Sequence, residues 1–345
     1  MNNLDTRTFI KYLPKAELHL HIEGTLEPEL QLKLAKRNHI QLKQSTVEEI
    51  KQTYHYHDLP SFLEVYYSAL SVLQTEQDFY DLAFSYLTKA AQNNIRHAEI
   101  FFDPQAHTSR GIPFKTIVNG LYRAIVDARA LNIDAGLIMC FLRDYSKESA
   151  RKTLKEAINY KDKILGVGLD SDEHNNPPLK FVRQFEDAAA AGFHLTTHCD
   201  LDQKNSIEHI RQALELMDVE RLDHGTNIVE DPDLVQLAAH RKIGITSCPH
   251  SNSLGNPVMK GKEVIELLNR GVKVSINSDD PAYFGGYIND SYNAIAQKFH
   301  LTKAQIIQLA KNSFETSWIS QQAKTLYLKE IEEYISNNDI IENDK

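Results

Sequence analysis

The chain has 345 residues, of which 42% are hydrophobic and 25% are charged, a composition typical of globular proteins. The length would fit two average domains, but it also fits one barrel of roughly 250 residues with insertions. The formal net charge of -9 argues against nucleic acid as a partner, because non-specific binding needs basic surface patches. No stretch approaches the ~18 consecutive apolar residues of a membrane span, so we expect no membrane partner.

The N-terminal residues and the cysteines bear on the compartment. The first residues contain no apolar segment of the kind found in secretory signals, so we expect no signal peptide. The three cysteines, Cys140, Cys199 and Cys248, are odd in number and far apart, which does not fit a disulfide framework. These features predict a cytoplasmic protein. We expect Cys199 to be a small buried residue and Cys248 to be structural.

Eight short apolar runs of β type alternate with segments of helical periodicity. The predicted strands cover residues 16–21, 97–102, 135–141, 165–169, 194–198, 221–224, 243–247 and 273–277. Strands that alternate with helices are typical of parallel βαβ units, and eight of them favour a closed (β/α)8 TIM barrel over an open, doubly wound sheet. We predict one α/β barrel domain over residues 1–340 and a frayed polar tail over residues 341–345.

Helix signals lie between these strands. Residues 79–91 carry apolar side chains at helical spacing, and Thr75 with Asp78 before them resembles a capping box. Thr302 is the expected N-cap of a helix near the end of the chain. Residues 25–75 are too many for an ordinary βα connection and have helical patterns of their own, so they predict a helical insertion beside the first strand.

Polar residues with metal-binding or acid–base chemistry end four of the predicted strands. His19 and His21 end the first strand, and they share one face because side chains alternate along a strand. His198 ends the fifth strand, His224 ends the sixth, and Asp279 follows the eighth. Catalytic groups of parallel barrels gather where the strands end. Three histidines and one carboxylate converging there suit zinc, with water completing an open site.

Each of these residues alone has a simpler interpretation. A His-x-His pair on a strand is more often an exposed or core pair than a ligand pair, and Asp279-Asp280-Pro281 alone is typical of a turn. Their joint placement at the strand ends of one predicted barrel favours the metal site. His250, after the seventh strand, fits a substrate contact and a loop cap equally well.

Three motifs surround the candidate ligands. They are LPKAELHLHIEGT at residues 13–25, Asp223-His224-Gly225, and SINSDDP at residues 275–281. With these motifs, and over nearly its whole length, the chain resembles the adenosine/adenine deaminase family of the amidohydrolase superfamily, and its adenine deaminase branch in particular. The resemblance implies that one zinc ion per subunit is held by His19, His21, His198 and Asp279.

The resemblance also implies a reaction and further roles. It implies that His224 orients the attacking water and shuttles its proton, and that Asp280 contacts N7 of a purine. The implied reaction is attack of a zinc-activated water on C6 with protonation of N1, followed by loss of ammonia. Binuclear relatives commonly use a modified lysine at the end of strand four, and residues 168–173 contain none, which favours a mononuclear site.

The chain departs from the family pattern after the fifth strand. The family places a glutamate three residues after the strand-five histidine, and Leu201 stands at that position here. Because leucine cannot transfer a proton, Asp200 and Asp202 are the candidate donors. Strand alternation favours Asp200, which would share a face with His198, but the chain turns near here and Asp202 stays open. Alternatively, both aspartates only cap the loop.

Local differences favour a free base over a nucleoside. Glu23 stands where nucleoside deaminases typically have an aspartate facing the ribose, and its extra methylene would crowd a sugar. Asp172 and Glu173 follow strand four where nucleoside enzymes carry a glycine near the purine N3, and residues 101–111 resemble the adenine deaminase branch. We therefore predict that Glu23, Asp172 and Asp280 bind substrate. In the simpler reading, Glu23 caps the following helix and residues 110–111 close a loop.

The predicted function is that of a purine aminohydrolase, a zinc-dependent hydrolase that releases ammonia from adenine or from an N6-substituted adenine. The alternatives are an adenosine deaminase, a metal-dependent amidohydrolase acting on another amine or amide, and a binding protein that lost catalysis with Leu201. The intact ligands and His224 argue against the last, since neither is needed to bind a base. The predicted partner is a small-molecule purine, and a homo-oligomer is left open.

Overall fold

A computed structural model describes residues 4–199, 204–254 and 258–338 of the chain. Eight parallel strands form one sheet in chain order. They are β1 (Lys15–Glu17), β2 (Ile95–Phe102), β3 (Asp134–Leu142), β4 (Ile164–Asp170), β5 (His194–Cys199), β6 (Arg221–His224), β7 (Gly244–Ser247) and β8 (Lys273–Ile276). All eight predicted strands are confirmed, although β1 ends before the two histidines that the prediction placed on it.

Helices connect the strands. Those of the described residues are α1 (Thr6–Tyr12), α2 (Pro28–Arg37), α3 (Val47–Lys51), α4 (Leu59–Ala69), α5 (Glu76–Gln92), α6 (Pro104–Thr108), α7 (Phe114–Ala128), α8 (Lys147–Ile158), α9 (Val182–Ala190), α10 (Ser206–Glu215), α11 (Pro232–Arg241), α12 (Gly261–Asn269), α13 (Pro281–Phe284), α14 (Ile288–Phe299), α15 (Lys303–Glu315) and α16 (Gln321–Asn337). The predicted capping box of Thr75 and Asp78 begins α5, and Thr302 caps α15 as expected. None of these helices is long and apolar enough to cross a membrane.

The sheet closes just beyond the ends of β1 and β8. The Asp279 N–H donates to the His19 carbonyl at 3.2 Å, and the Asp279 carbonyl accepts from the His21 N–H at 3.0 Å. Just before these residues, Asn277 Oδ1 accepts from the Leu18 N–H at 2.8 Å. This seam closes the predicted (β/α)8 TIM barrel, so the chain does not form an open, doubly wound sheet. The segments that close it are those that carry the candidate ligands.

Helix α15 supports the other end of the same seam. Its Ser313 hydroxyl oxygen accepts from the Ala16 N–H at 2.9 Å, and its Asn312 amide donates to the Val274 carbonyl at 2.8 Å. One helix therefore satisfies backbone groups of both β1 and β8 where these strands do not pair with each other. Burying those groups without partners would cost free energy comparable to lost hydrogen bonds.

A buried ion pair fills the amino-terminal half of the barrel interior. The guanidinium of Arg221 pairs with Glu99, stacks on the Trp318 ring at 4.1 Å and lies 3.8 Å from Asp223. The side chains of Arg221, Glu99 and Asp223 are fully buried. Because this end of the barrel is filled, the carboxyl end of the strands is the open one.

The predicted helical insertion after the first strand is confirmed and covers that open end. Helices α2, α3 and α4 lie within it. Phe62 of α4 packs its ring 5.8 Å from Tyr283 and 4.8 Å from Phe284, both in α13 directly after β8. The insertion thus forms a cap over the strand ends. The predicted tail at residues 341–345 lies outside the described residues.

Candidate active site

Three histidines and one aspartate converge at the carboxyl end of the barrel. One ligand atom from each of His19, His21, His198 and Asp279 lies within 4.8 Å of the others. His198 Nε2 lies 3.0 Å from His21 Nε2 and 3.1 Å from His19 Nε2. Asp279 Oδ1 lies 3.1 Å from His19 Nε2 and 3.4 Å from His21 Nε2. All four residues are buried, and they are the residues that the sequence analysis selected as ligands.

These separations fit ligands arranged around one ion. Bonds of about 2.0–2.1 Å in a tetrahedron place neighbouring ligand atoms roughly 3.3–3.4 Å apart. The observed separations of 3.0–3.4 Å are close to that spacing. Imidazole nitrogens that face one another in a buried site need a cation or a proton between them. The cluster can therefore hold a metal ion.

The protonation states of the cluster favour metal binding, which requires neutral imidazole and ionised carboxylate. Burial lowers the pKa of His21 to about 3 and that of His198 well below its usual value. Burial alone would raise the pKa of Asp279, but His19 and the other histidines hold it well below its usual range. For His19 the opposing effect of Asp279 outweighs burial and raises the pKa, so the carboxylate attracts a positive charge to this point.

Two of the histidines are oriented by groups behind them. His198 Nδ1 lies 3.1 Å from the Leu169 carbonyl, which accepts its proton and leaves the lone pair of Nε2 facing the cluster. His21 Nδ1 lies 3.4 Å from Asp170 Oδ2. Such outer partners fix the tautomer of a ligating histidine and raise its basicity.

His19 is oriented through a longer chain. Its Nδ1 donates to the Thr246 hydroxyl at 2.8 Å, and that hydroxyl donates to Asp223 Oδ1 at 2.9 Å. Thr196 donates to the other oxygen of Asp223 at 2.6 Å. Asp223, part of the Asp223-His224-Gly225 motif, thus anchors a ligand from inside the barrel. Thr196 and Thr246 were not recognisable from the sequence because neither carries metal or acid–base chemistry itself.

His224 lies beside the cluster with a free nitrogen turned toward it. Its Nδ1 donates to Asn252 Oδ1 at 3.0 Å, so the lone pair lies on Nε2, 3.6 Å from Asp279 Oδ2. Burial lowers the pKa of His224, which keeps this imidazole neutral and able to accept a proton. His224 and Asp279 have φ values of 60° and 62°, a left-handed backbone that costs energy and recurs at functional sites.

A cavity of about 410 Å³ opens from the cluster, within the range of small-molecule sites. Its apolar wall comes from the cap and from α13 and includes Phe62, Leu63, Tyr66 and Phe284. Its polar side includes carboxyl groups that follow β2, β4 and β8. The arrangement can hold a flat, partly apolar molecule against a metal ion and a neutral histidine.

Of the three predicted substrate-binding residues, Asp280 lines the cavity. Its Oδ1 is buried and has no hydrogen-bond partner. Burial, and then the charge of Asp279, raises the pKa of Asp280 well above its usual value. A protonated carboxyl group can donate a hydrogen bond to a ring nitrogen. A Cβ at Gly24 would lie 2.0 Å from Asp280 Oδ1, which explains the glycine in the first motif.

The structure does not bring Glu23 into the cavity lining. Glu23 is buried, and its Oε1 accepts from the Asp103 N–H at 3.1 Å and from His107 Nε2 at 2.9 Å. Arg110 Nη2 in turn donates to His107 Nδ1 at 2.8 Å. His107 of α6 therefore holds the Glu23 carboxylate behind the cavity wall. In that position Glu23 would not touch a sugar in the cavity, so the predicted crowding by direct contact is not supported.

Asp172 does not line the cavity either. Its Oδ1 accepts from the backbone and the ring of His174, at 3.0 and 2.8 Å, and its side chain is 35% exposed. The neighbouring Ser171, Glu173 and His174 line the cavity instead. The chain turns at Ser171, which has a φ of 74°, and this turn was not visible in the sequence.

Two buried aspartates at strand ends were missed. Asp103 follows β2 and Asp170 ends β4, each lines the cavity, and each is 2% exposed. Burial raises the pKa of Asp170 to about 7; burial and then Asp170 raise that of Asp103 well above its usual value. The signal that identified Asp279, a carboxylate at the end of a barrel strand, would also have identified these two.

The expected proton donors and the cysteines remain to be placed. Asp200, Leu201 and Asp202 lie outside the described residues, so the identity of the proton donor stays a prediction. Cys199 is fully buried, as expected. Cys248 lies near His224 and Asp279, and burial raises the pKa of its thiol well above the usual value, so its structural role stays a prediction.

Comparison with known proteins identifies the family. The family model for adenosine deaminase matches residues 14–334. The chain belongs to the adenosine deaminase family. An adenine deaminase from Acinetobacter baylyi is 49% identical over 93% of this chain and 97% of its own length. An uncharacterized deaminase from Schizosaccharomyces pombe is 52% identical over 97% of this chain and 99% of its own.

Solved structures agree with the family. The crystal structure of an adenine deaminase from Arthrobacter aurescens has a TM-score of 0.90 and 42% identity, and covers 94% of this chain and 99% of that one. A crystal structure of an amidohydrolase from Burkholderia ambifaria with bound Zn has a TM-score of 0.86 and 25% identity, over 99% of this chain and 97% of that one.

Asp279→Ala should lose the bound metal ion, because the carboxylate is the anionic member of the cluster. Since alanine is strained at this backbone position, Asp279→Asn is the companion variant, as asparagine tolerates positive φ. Both should show metal content well below that of the unaltered protein by elemental analysis. His194→Gln, at the opposite end of β5, is the control and should keep its metal. Full metal occupancy in both Asp279 variants would contradict the ligand assignment.

Proposed function

We propose that this chain is a zinc-dependent hydrolase that replaces the 6-amino group of adenine with a 6-oxo group and releases ammonia. The observation that carries the proposal is the cluster of His19, His21, His198 and Asp279 at the floor of a substrate-sized cavity, with the neutral His224 beside it. The chain matches relatives named adenine deaminases over nearly its whole length and theirs, which supports the choice of substrate.

Zinc is the proposed ion because three imidazoles and one carboxylate suit it. A related amidohydrolase of the same fold has bound Zn. When bound, a zinc ion lowers the pKa of a coordinated water from 15.7 to about 7 and thereby supplies a nucleophile at neutral pH. His19, His21, His198 and Asp279 would hold this ion.

The remaining side chains bind substrate and move protons. His224, with Nδ1–H fixed on Asn252, accepts at Nε2 the proton of the attacking water. The protonated Asp280 donates a hydrogen bond to N7 of the purine and orients the ring. The apolar wall contributed by α4 keeps bulk water away, which strengthens these polar interactions.

Protonation of N1 makes C6 electrophilic, and a carboxylic acid must supply that proton. We propose that Asp200 or Asp202 takes this role, since both stand within three residues of the end of β5 in the sequence and Leu201 between them cannot. The amino group then takes up the proton held by His224, the bond from C6 to nitrogen breaks and ammonia leaves, while the C6 hydroxyl returns its proton to the carboxylate as the 6-oxo group forms. We also propose that the protein acts in the cytoplasm, consistent with Cys140, Cys199 and Cys248 forming no disulfide.

N6-substituted adenines are the second candidate substrates. The apolar wall of Phe62, Leu63, Tyr66 and Phe284 borders the cavity and can accept an apolar substituent on the reacting nitrogen. The leaving group would then be an amine in place of ammonia.

Purified protein should release ammonia from adenine with higher kcat/KM than from adenosine or cytosine. The measurement is a coupled ammonia assay over adenine, N6-alkyl adenines, adenosine and cytosine, with amine release followed by chromatography for the N6-alkyl compounds. Turnover restricted to adenosine would contradict the free-base assignment. Tight binding of purines without any turnover would contradict the assignment as an enzyme.

His224→Asn should keep the metal ion but slow turnover by about 10²–10⁴-fold, the usual contribution of a positioned acid–base group. Asparagine is the chosen replacement because it tolerates the positive φ of this position. The measurement pairs kcat with metal content. Unchanged kcat in a fully loaded variant would exclude His224 as the base.

Asp200→Asn and Asp202→Asn should differ sharply, since one of the two supplies the proton to N1. The donor variant should lose about 10²–10⁴-fold in kcat with little change in metal content, and the other variant should stay near the unaltered rate. If neither variant slows turnover, the proton comes from another group.

A further inference from the structure

The side of the cavity opposite His224 carries two carboxyl groups that have no assigned role toward the substrate, although Asp170 also lies behind the candidate ligand His21. Asp103 follows β2 and Asp170 ends β4, whereas His224 ends β6 across the barrel mouth. One oxygen of Asp103, one of Asp170 and a ring nitrogen of His21 lie within 4.8 Å of one another. Both carboxyl groups line the cavity and are 2% exposed.

Three of their four oxygens have no hydrogen-bond partner. Asp103 Oδ1 and both oxygens of Asp170 are buried and have no hydrogen-bond partner. The Asp103 side chain does not cap α6, although it stands at the N-cap position. A buried acceptor left unsatisfied costs about 1–3 kcal/mol. Acceptors of this kind that face a binding cavity are suited to a ligand that brings the missing N–H or O–H groups.

Adenine carries such a donor on the edge of the ring that would face these carboxyl groups. A neutral free base has two kinds of N–H: the exocyclic amino group on C6 and one ring N–H in its imidazole portion. The amino group must face the metal cluster and His224, where it is replaced. With N7 on Asp280 after β8, the ring N–H lies at N9, the ring nitrogen remote from the reacting carbon, and points to the β2–β4 side.

We propose that Asp103 and Asp170 together recognise the N9–H that a free purine base carries and that a nucleoside has exchanged for a sugar. The inference rests on the proposed function and deepens it, because it names the residues that select a base over its nucleoside. An N9-substituted purine leaves both acceptors unpaired, and sites built around a substrate N–H discriminate strongly against analogues that lack it.

A second metal ion is the competing occupant, since these oxygens and His21 also form a ligand-like group. A ligand set for one divalent ion beside another would place two ions in each chain. Metal stoichiometry therefore separates the two occupants. We favour the ring N–H because both carboxyl groups face the cavity in which the substrate must lie.

The test compares adenine with 9-oxaadenine, in which oxygen replaces the N9–H without adding an atom. The ratio of their kcat/KM values is measured for the metal-loaded unaltered protein and for Asp103→Ala. The ratio should fall at least tenfold in the variant, mainly through a higher KM for adenine, with metal content unchanged at one ion per chain. Any intrinsic difference in reactivity between the two compounds cancels in this comparison.

Asp144→Asn is the matched control. Asp144 is exposed on the loop after β3 and does not line the cavity, so its loss removes a nearby negative charge and should leave the ratio unchanged. If Asp103→Ala fails to fold, the isosteric Asp103→Asn should lower the ratio in the same direction by a smaller factor.

Three results would overturn the inference. An unchanged ratio in folded, metal-loaded Asp103→Ala and Asp103→Asn would exclude recognition of the N9–H, and normal turnover of adenine in that experiment would leave the proposed function standing. Two ions in the unaltered protein and one in Asp103→Ala would assign the pair to a metal. No ammonia from adenine in the unaltered protein would remove the proposed function and this inference with it.

Discussion

The structure depends on the backbone seam between the segment after β1 and the segment after β8. The carbonyl of His19 and the N–H of His21 bond to the main chain of Asp279, and these three residues also supply candidate ligand atoms. The same backbone hydrogen bonds therefore close the barrel and hold three of the candidate ligands together. A shift of one residue at this seam would open the sheet and separate the ligands together, so fold stability and site geometry are tied to the same few hydrogen bonds.

The barrel interior next to this seam contains charged side chains that are buried from water. Arg221 and Glu99 neutralise one another at the filled end, and Asp223 satisfies both of its oxygens with threonine hydroxyls. The open end differs, because Asp103, Asp170 and Asp280 retain unpaired oxygens there. Breaking a buried charge pair is costly, so Arg221 and Glu99 each depend on the other at the filled end, whereas the open end has carboxyl oxygens without a hydrogen-bond partner.

Features of the fold and the site could be predicted from the sequence where they depend on local residue patterns, and not where they depend on contacts between distant parts of the chain. The eight strands and the convergence of the four candidate ligands were predictable because alternation, helix periodicity and polar strand ends are local patterns. The roles of Thr196 and Thr246 depend on contacts between residues far apart in the chain. A threonine in a strand is common, so its residue type alone does not indicate such a role. Glu23 was expected to face substrate; only the structure brings His107 close enough to hold its carboxylate. The turn at Ser171 likewise removes Asp172 from the cavity.

The central claim is that one divalent ion, held from the ends of β1, β5 and β8, makes water reactive. The most direct measurement removes the ion with a chelator and then titrates zinc back while deaminase rate and bound metal are recorded on the same samples. The account predicts that activity disappears with the ion and returns in proportion to zinc, reaching its maximum at one ion per chain. A fully active preparation that contains no transition metal and is indifferent to chelators would contradict it.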